Sequence, residues 1–269
     1  MTSPAPRWRP RTALRRLAST TFTHTRVGRF VSRARVGGRR LPVSAHFGYD
    51  RGLPIDRFYI EHFLARFACR PGYLAGDIRG HVLEVGGRDY VDRFGIAGDQ
   101  PGPGVVHSVD VLHESVIDPQ ATLVGDLAEA GTLPAARFDC VICTQVLPLI
   151  WDTRAVLASL YQSLRLNGVL LLTVPGISRS IAPESDQWSD YWRFTSVSAR
   201  RLVSEAFPGG QVEVDAYGNV QSAAFALYGF AAHELSTERL MLRDPAYEVI
   251  IGVRAMRKER WSAGDASAS

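Results

Sequence analysis

The sequence predicts a doubly wound α/β fold: a mostly parallel, seven-stranded sheet with helices on both faces and a last strand that runs antiparallel. Three observations predict it. Short runs rich in Val, Ile and Leu recur at residues 81–85, 105–111, 121–125, 138–144 and 169–174. They are long enough for strands buried on both faces and too short for helices. Helical periodicity or Gly/Pro breaks punctuate them. Two further strand-like segments, 211–216 and 247–256, are separated by helical sequence, which fits a final strand inserted antiparallel.

The elements follow in order. Residues 1–45 have weak periodicity and several Gly and Pro breaks, with a short helix expected only over 12–19. Pro54 stands where a first-turn proline is favoured. After it Ile55, Phe58, Tyr59, Phe63, Leu64 and Phe67 recur at helical spacing, so a helix runs to about Ala68, ahead of Pro71-Gly72. The first strand ends in Gly86-Gly87, the second around Asp110, and the third before Asp126. After the fourth strand Asp152 is placed to cap a helix over 153–166, which Asn167-Gly168 stops. The fifth strand closes at Pro175-Gly176, and a helix over 197–207 ends at Pro208-Gly-Gly. The organisation expected is a basic, partly disordered N-terminal arm over 1–45, one domain over 46–256, and a small, polar, disordered tail over 257–269.

Composition narrows the class. The apolar share, 46%, supports a full core. No run approaches the roughly 20 apolar residues of a membrane span, and the N-terminus lacks a signal-peptide pattern, so a cytoplasmic protein is expected. Lys258 is the sole lysine, and with abundant Ala and Gly the arginine bias points to a GC-rich bacterial genome. Charge is uneven: residues 1–49 hold eleven arginines and no acid, leaving 20 basic and 27 acidic residues in the remainder, a net of −7. A solvated arm, an anionic surface or an acidic partner fits that tail. Nucleic acid fits poorly as substrate, because the body is acidic and lacks an Asn/Asp-Pro-Pro-Tyr/Phe run. Cys140 and Cys143 share a strand at an offset of three, which puts their thiols on opposite faces and argues for packing over metal binding.

Ligands in such sheets bind outside the C-terminal strand ends. Glu84 is unusual in a central strand, and a buried carboxylate needs partners: a cationic or amine-bearing ligand, or the amides of the turn that follows. Gly86 and Gly87 let the backbone approach a ligand closely. Asp110, at the end of the second strand, could accept from both hydroxyls of a ribose, as acids do in NAD and S-adenosylmethionine (SAM) sites. Asp126 could accept from an adenine amino group. Gln145, Val146 and Leu147 follow the fourth strand at the sheet centre, where the sulfur of a methyl donor would lie.

Over roughly residues 47–256 the layout resembles class I SAM-dependent methyltransferases. The matching pieces are Val82-Leu-Glu-Val-Gly-Gly87, Asp110, Gly125-Asp126-Leu127, Phe138-Asp139-Cys-Val-Ile142 and Leu166-Asn-Gly-Val-Leu-Leu-Leu-Thr-Val-Pro175. The resemblance implies SAM as cofactor. Its methionine part would fall to Glu84, Gly86 and Gly87, its ribose to Asp110 and its adenine to Asp126, with Gln145 beside the sulfur. Asp89 stands where such loops commonly carry a further glycine. Two stretches, Phe47-Gly-Tyr-Asp-Arg-Gly-Leu-Pro-Ile-Asp-Arg-Phe-Tyr-Ile-Glu61 and Asp190-Tyr-Trp-Arg-Phe-Thr195, are similar to a bacterial subgroup found near glycosyltransferases. They imply O-methylation of a small molecule or a sugar or glycan hydroxyl.

An acceptor pocket is then expected between residues 49–59 and the loop after the fifth strand, which carries Trp188, Asp190, Tyr191, Trp192 and Arg193. Tyr49, Tyr59, Tyr191, Trp192 and Arg193 are the expected substrate contacts, since aromatic rings with polar tips suit a sugar or planar ring. Asp190 is the first candidate general base, with His113 and His46 behind it. No His/Asp/Glu cluster has metal-ligand spacing. Two other readings stand beside this one: a catalytically silent binding module on the same fold, and an NAD-dependent oxidoreductase, against which the absence of G-x-G-x-x-G argues.

Overall fold

The computed structural model describes residues 40–68, 76–98, 104–114, 119–181 and 189–259. The helix expected over 12–19 and the side chain of Trp188 lie outside them. The compact unit that carries the sheet takes in Val43, whose amide donates to the Tyr228 carbonyl at 2.8 Å.

Helix α1 (Ile55–Ala65) precedes strand β1 (Gly80–Val85), a short helix α2 (Asp89–Phe94), β2 (Val106–His113) and β3 (Leu123–Val124). Then come β4 (Phe138–Thr144), α3 (Thr153–Ser163), β5 (Leu164–Pro175), α4 (Ser196–Ala206) and β6 (Gln211–Tyr217). The chain closes with α5 (Val220–Tyr228), α6 (Thr237–Met241) and β7 (Ile250–Met256). The seven strands form one sheet in the order β3-β2-β1-β4-β5-β7-β6. Neighbours from β3 to β5 are parallel, and β7 runs antiparallel to both β5 and β6.

The strands are apolar on both faces because both faces are covered. Leu83, Val141, Cys143, Leu170 and Leu172 pack with Val156, Leu157 and Leu160 of α3 and Val203 of α4. Val82, Cys140, Ile142, Val169 and Leu171 pack with Tyr59, Ile60, Phe63 and Leu64 of α1. Each Val, Leu, Ile or Phe side chain among them contributes about 1.5–3 kcal/mol when fully buried. The two cysteines thus fall in opposite layers, as a period of two requires.

Several element ends differ from expectation, helix α1 stopping at Ala65, β3 spanning only Leu123–Val124 and β7 starting at Ile250. Helix α3 stops at Ser163, before Asn167-Gly168. Those two residues interrupt β5 instead: Asn167 adopts a left-handed φ of 63°, and the pairing register of β4 with β5 shifts there. Arg257 takes the exposed helix end, donating to the carbonyls of Tyr161, Gln162 and Leu164 at 3.2, 3.1 and 2.5 Å. Strand β2 continues past Asp110 to His113. Helix α2, six residues long, is too short for periodicity to announce. Among the described residues no helix is long and apolar enough to cross a membrane.

Candidate functional site

A cleft of about 1210 Å³ opens over the C-terminal ends of β1, β2 and β4. Its most buried acid among the described residues is Glu84, only 4% exposed. One carboxylate oxygen accepts from the Tyr90 amide at 3.2 Å and the other from the Val91 amide at 2.8 Å. These belong to the first turn of α2, where helix amides have no partner of their own. Burial pushes the carboxyl up to about 7, against the pull of those two amides, and the nearby Asp89 and Asp92 add to the rise. Of the two partners the sequence allowed for Glu84, the turn amides are the ones in place.

Gly86 and Gly87 follow. Gly86 has φ +88°, and no atom lies within 4 Å of a Cβ built on either residue. Since both line the cleft, a side chain at either position would take up ligand space. The glycines therefore form a cradle with backbone walls beside a carboxylate, which fits the aminoacyl end of a nucleoside cofactor.

Asp110 does not lie in this cleft, and the expectation that it holds a ribose is corrected. It pairs in register with Leu83, inside the sheet, and is 7% exposed. His81 Nε2 and Arg137 Nη2 both approach its Oδ2 at 2.9 Å, and Thr122 donates its hydroxyl to Oδ1 at 2.8 Å. An acid inside an apolar run read as the strand's end; its partners let the strand continue through it. The acid beyond the true end is Glu114, which lines the cleft with His113.

Asp126 lines the cleft while its Oδ1 accepts from the Ala128 amide at 2.8 Å, holding the turn after β3. Gln145 lines it at the end of β4, with a left-handed φ of 58°. That conformation costs a non-glycine residue about 1–2 kcal/mol. It is held by the Thr173 carbonyl, which accepts from the Gln145 amide at 2.9 Å. Gln145 also borders a second chamber of about 20 Å³, beside Asp56 and Arg179.

Of the expected acceptor contacts, Tyr49 and Tyr191 line the cleft, 55% and 47% exposed. Tyr59 does not: it is fully buried, and its hydroxyl donates to the Leu240 carbonyl at 2.7 Å. The helical period that placed it near the pocket is the period of the core face of α1. Trp192 is also outside the cleft lining. It stacks on Trp151 with ring centroids 4.9 Å apart and donates to the Trp151 carbonyl at 3.2 Å. Trp151, 65% exposed, is the tryptophan that reaches the cleft among the described residues.

Asp190 and Arg193 are corrected together. Neither lines the cleft. Arg193 donates to both Asp190 oxygens, at 2.5 and 2.7 Å, and to the Arg179 carbonyl at 2.7 Å. The Ile181 amide donates to Asp190 Oδ2 at 2.9 Å. The Arg193 guanidinium holds the Asp190 carboxyl below the usual carboxylate range. A carboxylate so engaged is a poor proton acceptor; it ties the two ends of its loop. His46 is likewise outside the lining and caps a turn through its amide, which donates to Ser44 Oγ at 3.0 Å.

Sequence reasoning missed Arg57, Tyr90, Arg93, Glu114 and Trp151, all in the cleft wall. Arg57 lies within the 47–61 stretch already singled out, and Glu114 lies four residues past Asp110, where the sequence places the strand end too early.

No family model matches the sequence, and no curated protein matches it. Solved structures do. A chain in the complex between the Haloferax volcanii Trm112 methyltransferase activator and the putative methyltransferase is 18% identical with a TM-score of 0.50, over 81% of this chain and 96% of that one. A putative SAM-dependent methyltransferase from Listeria monocytogenes is 10% identical (TM-score 0.48, 75% of this chain and 100% of that one). A SAM-dependent methyltransferase from Mesorhizobium loti is 16% identical (TM-score 0.45, 78% and 100%). The first likeness shows that this chain has the methyltransferase α/β fold.

Proposed function

We propose that this chain is a SAM-dependent methyltransferase whose acceptor is a hydroxyl of a small molecule or sugar. The carrying observation is the glycine cradle: Gly86 and Gly87 leave open cleft where side chains would stand, separated by Val85 alone from the buried carboxylate of Glu84. The strand order supports it, because dinucleotide-binding sheets run 3-2-1-4-5-6 without an inserted antiparallel strand, whereas β7 here lies between β5 and β6.

In this reading Glu84, Gly86 and Gly87 hold the methionine part of SAM. Glu114 accepts from the ribose and Asp126 from adenine, and Gln145 borders the reacting centre. SAM, when bound, supplies a methyl group on a positively charged sulfur. The chain's part is to hold the acceptor in line with the sulfur–methyl bond. Tyr49, Tyr191 and Trp151 offer it rings and hydroxyls. His113 is the expected base that does line the cleft, so it keeps that role in the proposal. The sugar or glycan acceptor and the bacterial subgroup rest on the resemblance of residues 47–61 and 190–195. A cytoplasmic location and an anionic surface or acidic partner for the arm rest on composition.

Calorimetric titration with SAM, S-adenosylhomocysteine (SAH) and NAD tests the reading. Binding of the two adenosyl sulfur compounds without NAD is expected. NAD binding, or no binding of SAM and SAH, would overturn it.

A further inference from the structure

Granting the SAM reading of the cleft, we infer that Arg57 clamps the carboxylate of the cofactor's aminoacyl end, so that Glu84 and Arg57 together recognise that end as a zwitterion. Arg57 projects into the cleft wall from the first turn of α1. Its side chain donates to two neutral phenols: Nε to the Tyr49 hydroxyl at 2.6 Å and Nη1 to the Tyr90 hydroxyl at 3.4 Å. Among the described lining residues the only arginines are Arg57 and Arg93, and Arg93 is paired with Glu61 at 2.5 Å. The described structure shows no ion pair for Arg57.

That contrasts with how this chain treats its other enclosed arginines. Arg254 is gripped by Asp77 through two hydrogen bonds, and Arg193 by Asp190 in the same way. Arg57 is given no such partner. Asp56, next in sequence, and Glu61, one turn on, offset its charge without bonding to the guanidinium, while the Asp56 carboxylate accepts from the Arg57 amide at 2.7 Å and borders the smaller chamber. A guanidinium held by hydroxyls alone is pre-set in orientation and keeps its charge for an incoming anion.

Tyr90 locates that anion. Its hydroxyl accepts from Arg57, and its amide donates to Glu84. One residue thus joins the cation to the carboxylate beside the glycine cradle. An α-amino acid group presents an ammonium and a carboxylate on one carbon, and these two side chains offer the opposite charges within one wall. The other acids along the described lining, Glu61, Asp89, Glu114, Asp126 and Asp152, would repel a carboxylate placed beside them.

Three ligands separate the contributions without any acceptor. SAH carries both charges, its decarboxylated analogue keeps only the ammonium, and 5′-methylthioadenosine lacks the aminoacyl chain. Wild type is expected to bind SAH roughly 10- to 100-fold more tightly than the decarboxylated analogue, as loss of a charged hydrogen-bond partner implies. Arg57→Gln should close that gap and leave methylthioadenosine affinity within about twofold, and Arg57→Lys should restore part of it. Equal affinity of wild type for SAH and the decarboxylated analogue would overturn the inference, even if Arg57→Gln did not fold. So would a folded Arg57→Gln that binds SAH as wild type does, or that loses SAH and methylthioadenosine alike. If wild type binds none of the three, the methyltransferase reading itself falls, and the clamp with it.

Discussion

Asp190 and Arg193 face each other through two parallel hydrogen bonds, Nη1 to Oδ1 at 2.5 Å and Nη2 to Oδ2 at 2.7 Å. The Asp190 carboxylate and the Arg193 guanidinium thereby pin residues 179–181 to residues 190–193 through the Ile181 amide and the Arg179 carbonyl. Both side chains keep some exposure to water, so Asp190→Asn is expected to cost about 1–2 kcal/mol of stability, less than a fully buried pair. The folded carboxyl is depressed, so its contribution is present above the ordinary Asp range and lost as pH falls through the lowered value. SAH affinity near neutral pH should not change. A loss of SAH binding in folded Asp190→Asn, measured by calorimetry, would return this residue to the site.

Asp110 and Glu114 make a contrasting pair. Asp110→Ala would leave His81, Arg137 and Thr122 without their shared acceptor, at an expected cost of about 2–4 kcal/mol in stability. SAH affinity of the folded protein should stay unchanged. Glu114→Ala should do the reverse, with near-native stability and SAH binding weaker by about 1.5–3 kcal/mol, as loss of a charged acceptor for two hydroxyls implies. Urea denaturation and calorimetry on both variants decide it; equal effects on binding would mean neither acid holds a ribose.

Much of the fold was legible because burial on both sheet faces writes itself into unbroken apolar runs. Residues 138–144 were bounded as observed, since Asp139 alone interrupts them and Gln145 turns away. The differences at Asp110 and Asn167 share one cause: a polar residue reads as punctuation in the sequence where tertiary partners absorb it in the fold. Asp110 inside β2 has His81 and Arg137, and Asn167-Gly168 inside β5 has a register shift to occupy. The acceptor wall was least legible. Whether Trp151 or Trp192 meets the cleft depends on how two loops stack, and neither loop carries a period. Tyr59 followed a helical period correctly, and that period pointed to the core.

Glu84 gives the chain a pH dependence of unusual sign for a carboxylate. Its folded carboxyl is raised to about 7, above the ordinary value near 4.3. A raised group contributes stability that is fully present below the unfolded value and lost as pH rises through about 7. Between pH 4.5 and 7.5 this single group is expected to remove on the order of 3 kcal/mol. Glu84→Gln isolates it, because other acids titrate alike in both proteins. Denaturation of the two ligand-free proteins across that range should show wild type losing ground to the variant as pH rises. In the proposed site, an ammonium beside Glu84 favours the ionised form, so SAH binding to wild type should release a proton near neutrality. Parallel stability curves would mean that the carboxyl ionises normally despite its burial.

Gly252 tests the packing that holds the site's outer wall in place. It sits in β7 opposite Thr173 of β5 and Asp215 of β6, beneath the Phe63 ring of α1. A Cβ at this position would meet three Phe63 ring atoms at 2.4, 2.6 and 2.7 Å. Phe63 is 1% exposed and packs edge-on to Phe67, so the ring has little room to retreat. Gly252→Ala should therefore cost about 1–3 kcal/mol, the usual range for overpacking. Helix α1 must give way, and α1 carries Arg57 into the cleft. Weaker SAH binding is expected with the stability loss, although Gly252 is no part of the cleft lining. Phe63→Leu trims the ring, so the double variant should lose less than the sum of the two single variants. Strict additivity in denaturant melts would mean that the methyl and the ring never compete for the same space.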